Sequence, residues 1–307
     1  MSRKAWRVVQ AVAGLTILFF VVRSFARNWD TIRATPLEWR IRPLLLVASA
    51  LCTWGMYLLL ILAWRSLLRD WGYQLRIWTA ARIWAVSSLG KYIPGKVWAI
   101  AGMALMAQRA GCAPWAATAS AILMQGLAVG TGVVAVALAG VQTLEQNYSG
   151  VRIGLWILAA ASAVGVVLMV SPSVAGLVLR RLAPAQQDRT PRVTTVIVAI
   201  GVNLLAWAGY GVAFWLLARG LLPSAVIPLR LSVGAFAASY LAGLLFLVAP
   251  GGLVVRESVL TLMLQGAIGL APAAALAVAS RLMLTITEVG IAVPFLLFSR
   301  ENARVST

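Results

Sequence analysis

The chain has 307 residues, of which 62% are hydrophobic and only 11% are charged, and its formal net charge is +18. A soluble domain holds about 25% charged residues, so this composition excludes an ordinary soluble protein. It also argues against nucleic-acid binding, because most Lys and Arg residues lie between apolar blocks, where they orient the chain and meet anionic lipid headgroups.

The apolar blocks are about 17–25 residues long, which is the length of helix that spans a bilayer. They do not alternate apolar and polar residues as barrel strands do, so the predicted fold class is an all-α, polytopic membrane bundle. Basic residues before the first block resemble the start of a signal peptide, but we expect that helix to be retained. In chain order, the predicted full-length helices are Val8 to Phe25, Pro43 to Trp64, Pro114 to Ala139, Val151 to Val170, Thr194 to Ala218 and Ala271 to Phe298.

Two further apolar stretches are broken by proline and glycine. The stretch from Ile77 to Gln108 is interrupted at Pro94-Gly95, and the stretch from Leu229 to Leu270 is interrupted at Pro250-Gly251-Gly252. Proline removes a backbone donor and clashes with the preceding turn, while glycine lets the backbone turn sharply. Each stretch is therefore expected either to enter the membrane and return or to span it fully.

The two halves of the chain have similar spacing. The break lies 51 residues after the start of the preceding full-length helix in the first half and 56 residues after it in the second. If both broken stretches return, each half crosses three times, and residues 1–150 and 151–307 become inverted repeats of one transmembrane domain, 1–307. Inverted repeats with broken helices at matching positions are typical of transporters. Chance spacing is the alternative, because the bilayer forces similar helix lengths.

Charge in the connections predicts the topology. The connection from Arg180 to Arg192 is polar and holds four Arg residues, which places it in the cytoplasm. The connection from Gly140 to Gly150 holds no Lys or Arg and is expected outside. Both termini then fall in the cytoplasm, in what we expect to be a bacterial inner membrane. Five Arg residues between positions 23 and 42 argue against this topology.

The first break carries two lysines. Lys91 and Lys96 flank Pro94-Gly95 within the sequence GKYIPGKVW, residues 90–98. A lysine at membrane depth is costly and normally faces a cavity or a partner, and a helix that restarts after the break adds its positive dipole end. The segment is therefore predicted to bind an anion, and a phosphodiester headgroup is the anion that a membrane offers. The alternative is a cytoplasmic loop whose lysines snorkel to the interface.

The second break is followed at once by Arg256 and Glu257. Adjacent charges beside a broken helix rarely face lipid. One interpretation is a mutual ion pair that neutralises both residues. The other is that each of them meets a partner across the repeat.

The last predicted helix carries Arg281 and Glu288. These residues are two turns apart on one helix face, about 10 Å along the axis, which is too far for a direct ion pair. We expect them to meet the charged residues of the two breaks instead. Arg82, Gln125 and Asn203 are weaker candidates, for which hydrogen bonding between helices or snorkelling to the interface is the favoured interpretation.

The sequences GKYIPGKVW at residues 90–98 and PGGLVVRE at residues 250–257 resemble the two signature loops of the lysylphosphatidylglycerol synthase transmembrane-region family. The resemblance covers nearly the whole chain, and the order and separation of the two loops carry most of it. Val254 departs from the family pattern, in which a further glycine is common. The resemblance implies a flippase-like, lipid-translocating module. Because the chain ends at Thr307, nine residues past the last predicted helix, we expect a stand-alone member without the soluble aminoacyltransferase domain.

The predicted function is movement of a lipid, or a lipid-linked molecule, between leaflets by alternating exposure of a midplane cavity that binds an anionic headgroup. The chain has no His, so the commonest general base and metal ligand are missing, and we expect no catalytic residue, metal or cofactor. The expected partners are membrane lipids, and a homo-oligomer is compatible with the sequence. Two other functions stay open: a membrane-embedded transferase that uses a lipid donor, and an accessory subunit of a lipid-modifying enzyme. The predicted binding residues are Lys91, Tyr92, Pro94, Gly95, Lys96, Pro250, Gly251, Gly252, Arg256, Glu257, Arg281 and Glu288.

Overall fold

A computed structural model describes residues 40–93, 97–140, 151–170, 191–246, 252 and 254–298. The predicted helix from Val8 to Phe25 lies outside these residues. Regular structure in the described part of the chain is helical throughout, without a strand. Its helices are α1 (Pro43–Asp70), α2 (Ile77–Ser88), α3 (Val97–Arg109), α4 (Pro114–Ala139), α5 (Val151–Val170), α6 (Val193–Leu221), α7 (Leu229–Leu245), α8 (Val255–Ile268) and α9 (Leu270–Phe298), with a 3-10 turn at Leu89–Tyr92.

The all-helical, polytopic membrane fold is confirmed. Four described helices, α1, α4, α6 and α9, are long and apolar enough to cross a membrane, and α7 and part of α5 form shorter apolar helices. Large apolar side chains cover the outer surface; Leu44, for example, is 80% exposed. Such a continuous apolar surface is what lipid contact requires. The exact number of crossings and the inverted repeat stay predictions.

Proline sets the start of two of these helices. Pro43 and Pro114 occupy the first helical turn, after residues with extended backbone, because the missing N–H costs nothing there and the fixed φ suits a helix. Helix α1 continues six residues past the predicted end at Trp64. The Arg65 side chain, just past the predicted end, turns back and donates from Nε to the Leu75 carbonyl at 2.5 Å.

Helices α1 and α6 pack antiparallel along their whole length. The Arg42 N–H donates to the Gly220 carbonyl at 2.8 Å, and at the opposite end the Arg192 N–H donates to Asp70 Oδ2 at 2.9 Å. Small residues allow the close approach: a Cβ on Gly209 would lie 2.2 Å from the Met56 sulfur. This pair forms the centre against which the two broken segments pack.

The chain reverses direction between α2 and α3 and again between α7 and α8. A Cβ on Gly90, just before the first break, would lie 2.7 Å from the Ala99 nitrogen in α3, and a Cβ on Gly102 would lie 3.6 Å from the Ser87 Cβ in α2. A Cβ on Gly252 would likewise lie 2.6 Å from the Gly243 Cα at the end of α7. Helices α2 and α3, and helices α7 and α8, therefore form two hairpins, and the described residues next to each break in the sequence form the hairpin tip.

Contacts between helix termini show which termini lie at the same end of the bundle. Asp70, at the end of α1, accepts the bond from Arg192 at the start of α6. Trp78, at the start of α2, lies 6.5 Å from Phe295 near the end of α9, measured between ring centroids. The end of α9 therefore lies at the same end of the bundle as residue 192. Which membrane side this end faces stays a prediction.

Candidate functional site

A cavity of about 220 Å³ lies between the two hairpin tips. An apolar cavity of about 150 Å³ is large enough to bind benzene, so this one has room for a compact headgroup. Lys91 and Tyr92 line it from the first hairpin, Gly252 and Arg256 line it from the second, and Arg281 lines it from α9. Further lining residues include Tyr57, Trp84, Gln125, Asn203, Trp207, Tyr210, Tyr240 and Thr285.

The first cation, Lys91, is neutralised by Glu288. Its Nζ forms an ion pair with Glu288 Oε1, and the carboxylate also accepts hydrogen bonds from Tyr57 at 2.5 Å and from Tyr92 at 3.0 Å. The 3-10 turn presents Lys91 and Tyr92 to α9, where the Tyr92 hydroxyl lies 3.2 Å from that of Thr285. Glu288 is only 2% exposed. This network joins α1, the first hairpin and α9.

A second buried ion pair holds α8 against α9. Arg281 Nη1 lies 2.6 Å from Glu257 Oε1, and both side chains are buried. The mutual pair of Arg256 with Glu257 that the sequence left open is therefore not the arrangement observed. Successive helical residues point about 100° apart, so when Glu257 turns to α9 its neighbour Arg256 turns elsewhere.

Arg256 points to an aromatic wall of the cavity. Its guanidinium carbon lies 5.2 Å from the Phe236 ring centroid and 5.1 Å from that of Tyr240, within cation–π range. Arg256 is 8% exposed, and its buried Nη2 finds no hydrogen-bond partner among the residues that the structure describes. Within that part of the chain, no carboxylate lies within ion-pair distance of Arg256.

The backbone just before Arg256 has two residues at positive φ. Gly252 has φ +69°, and Val254 has the same φ of 69° immediately before α8 begins. A branched side chain in this left-handed region costs about 1–2 kcal/mol, so the backbone holds a conformation that glycine would adopt without strain. Val254 is the position at which the sequence departs from the family pattern, and the structure gives that departure an energetic consequence.

The structure brings together seven of the predicted binding residues. Lys91, Tyr92, Gly252, Arg256 and Arg281 line the cavity, while Glu257 and Glu288 do not line it but bind two of the cations. Pro94, Gly95, Lys96, Pro250 and Gly251 lie outside the described residues. No group of three or more His, Cys, Asp or Glu residues that could hold a metal occurs in the described ranges.

Sequence reasoning missed the aromatic wall. Tyr57, Trp207, Tyr210 and Tyr240 line the cavity, and so do Gln125 and Asn203, which the sequence ranked as weak candidates. Spacing held a usable signal, because Trp207 and Tyr210 are three residues apart on α6 and share one face of that helix. Their rings lie 6.5 Å apart, edge to face.

The chain matches the family model of the lysylphosphatidylglycerol synthase TM region over residues 6–291. It belongs to this family. The match covers both hairpins and the helices that line the cavity, so the family assignment made from the two loop sequences is confirmed over almost the whole chain. Among curated proteins, none matches this chain.

Proposed function

We propose that this member of the family moves a lipid, or a lipid-linked molecule, between the leaflets of the membrane, and that the cavity between the hairpin tips binds its anionic headgroup. The observation that carries the proposal is Arg256, a buried cation that faces the cavity without a carboxylate partner in the described part of the chain. We further propose a bacterial inner membrane with both termini in the cytoplasm, as the loop charges predict.

The energetics of a buried charge support an anionic ligand. A desolvated guanidinium without a partner is strongly disfavoured, and the two aromatic rings beside Arg256 compensate only part of that cost. A phosphate would supply the missing charge and accept the bond that Nη2 lacks, since the planar guanidinium suits phosphate oxygens. Arg256 is therefore the residue to which the headgroup phosphate binds.

The arrangement of the hairpins supports alternating exposure. The start of α2 lies beside the end of α9, and the start of α7 lies beside the end of α4, where Arg230 Nη2 donates to the Leu138 carbonyl at 2.7 Å. These reciprocal contacts, with the antiparallel pair α1 and α6, are what an inverted repeat predicts. A central cavity between inverted repeats becomes accessible from each side in turn when the halves rock against each other.

The direct test is translocation of a fluorescent lipid with an anionic headgroup in liposomes that contain only the purified protein. We expect Arg256→Gln to slow translocation roughly tenfold to a hundredfold, the loss for a charged hydrogen bond of about 1.5–3 kcal/mol. Arg256→Lys keeps the charge but loses the planar fork, so its rate should fall between those of the wild type and Arg256→Gln.

Arg219 provides the matched control. Its guanidinium also stacks on an aromatic ring, 4.6 Å from the Trp215 centroid, but it is exposed and does not line the cavity. Arg219→Gln should therefore translocate lipid at the wild-type rate. Wild-type translocation by a folded Arg256→Gln protein would contradict the proposed site. Failure of the wild-type protein to move lipid in pure liposomes would favour the accessory-subunit function.

A further inference from the structure

We infer that the cavity selects its ligand by net charge and binds lipids whose headgroup carries one negative charge in preference to zwitterionic or doubly charged headgroups. This inference rests on the proposed function and names the class of lipid that the site accepts. It comes from the balance of charges around the cavity.

The charges that face the cavity have one sign. Among the described residues, its ionisable lining consists of Lys91, Arg256 and Arg281, together with tyrosines, and no carboxylate lines it. Lys91 and Arg256 share one ring, because their charged groups lie 5.8 Å and 5.1 Å from the Tyr240 centroid. Both cations therefore line the cavity beside the same ring.

Two of the three cations are neutralised by carboxylates that do not line the cavity. Glu288 pairs with Lys91 and Glu257 pairs with Arg281, and both carboxylates are buried at 2% and 7% exposure. The remaining charge is that of Arg256. The second break adds no other charge, because residues 247–255 carry no ionisable side chain, and Lys96 of the first break lies outside the described residues. Over the described residues, the site therefore has one uncompensated positive charge.

Charge balance then sets the preference. A monoanion neutralises Arg256 and leaves no net charge in a low-dielectric site. A zwitterionic headgroup brings an ammonium to a wall that offers three cations and no carboxylate, so the ammonium loses its water without gaining a partner. A phosphomonoester carries about −1.5 to −2 at neutral pH and leaves an unbalanced negative charge.

The test measures binding rather than transport. Short-chain lipids are titrated onto the detergent-purified protein, and thermal stabilisation reports affinity. Phosphatidylglycerol and phosphatidylinositol supply one net negative charge and no ammonium, phosphatidylethanolamine supplies an ammonium and no net charge, and phosphatidic acid supplies nearly two negative charges. We expect the two monoanionic lipids to bind about tenfold more tightly than the other two. Glycerophosphoglycerol, the free phosphodiester headgroup with one negative charge, separates recognition of the lipid from general binding of a free phosphate, because it should stabilise the protein much less than the lipids.

Variants change the charge balance in both directions. Arg256→Gln brings the net charge to zero and should abolish the preference for monoanions over phosphatidylethanolamine. Glu288→Gln releases the charge of Lys91 and should shift the preference towards phosphatidic acid. Arg219→Gln, outside the cavity, should keep the wild-type order.

Equal affinity of the wild type for all four lipids would overturn the inference. So would loss of the preference in Lys96→Met but not in Arg256→Gln, because the uncompensated charge would then lie at the first break. These outcomes leave the proposed function standing if lipid still moves in liposomes. Selective binding without any translocation would instead contradict the proposed function and leave the inference intact.

Discussion

The two broken segments each place a cation in the same cavity, but the two cations have different neighbours. In the first hairpin, Lys91 is held by Glu288, which two tyrosines also bind. In the second, Arg256 rests on two aromatic rings with one nitrogen unpartnered among the described residues. The position of distant carboxylates thus decides which cation forms a buried ion pair and which has no carboxylate in ion-pair distance among the described residues.

The largest expected effect is a difference in stability between two variants, in each of which one of these cations is replaced by Met. Lys91→Met leaves the Glu288 carboxylate buried without its cation, which typically costs about 3–5 kcal/mol. Arg256→Met removes a charge that has no carboxylate partner in the described structure and should lower the melting temperature far less. Melting curves of the two purified variants make the comparison.

The double variant Lys91→Met, Glu288→Gln controls for this effect. It removes both charges of the pair and should recover much of the lost stability. If Lys91→Met melts at the wild-type temperature, the first segment is not held by this ion pair, and the contrast between the two cations disappears.

A smaller effect tests the close approach at the second hairpin tip. A Cβ on Gly252 would lie 2.6 Å from the Gly243 Cα, at φ +69°, so Gly252→Ala should destabilise the protein by about 1–3 kcal/mol. Gly201→Ala in α6 is the control, because a Cβ there meets nothing within 4 Å. Similar melting temperatures for the two variants would mean that the hairpin tip tolerates separation.

The smallest effect concerns the strain before α8. Val254→Gly relieves a left-handed conformation that costs about 1–2 kcal/mol, and glycine returns about 0.5–1 kcal/mol of that as chain entropy. The net change should be a stabilisation of about 0–1.5 kcal/mol, measured as a small rise in melting temperature. Val255→Gly, one residue further and inside the helix, should instead lower it.

Local sequence patterns were enough to predict most of the helices. The bounds of α4 and α5 follow from their apolar blocks, and Pro43 and Pro114 fix two starts. These features depend on residues close in the chain. The extension of α1 past Trp64 was missed because the bond from Arg65 to the Leu75 carbonyl forms only after the chain has turned.

The candidate site was harder to predict, because it depends on contacts between distant residues. The sequence indicated that Glu288 would find a cation in one of the breaks, but Lys91 lies 197 residues away, and no local pattern chooses it over Arg256. The orientation of α8 also decides that Glu257 faces Arg281 and that Arg256 faces the cavity. That rotation is set by packing against α7 and α9.

The role of Arg256 is tested most directly by whether the purified protein keeps a bound phospholipid. Native mass spectrometry of the detergent-purified protein measures this for the wild type, Arg256→Gln and the control Arg219→Gln under identical delipidation. We expect one phospholipid to stay bound to the wild type and to Arg219→Gln and to be lost from Arg256→Gln. Equal retention by a folded Arg256→Gln protein would contradict the claim that this uncompensated cation holds the headgroup.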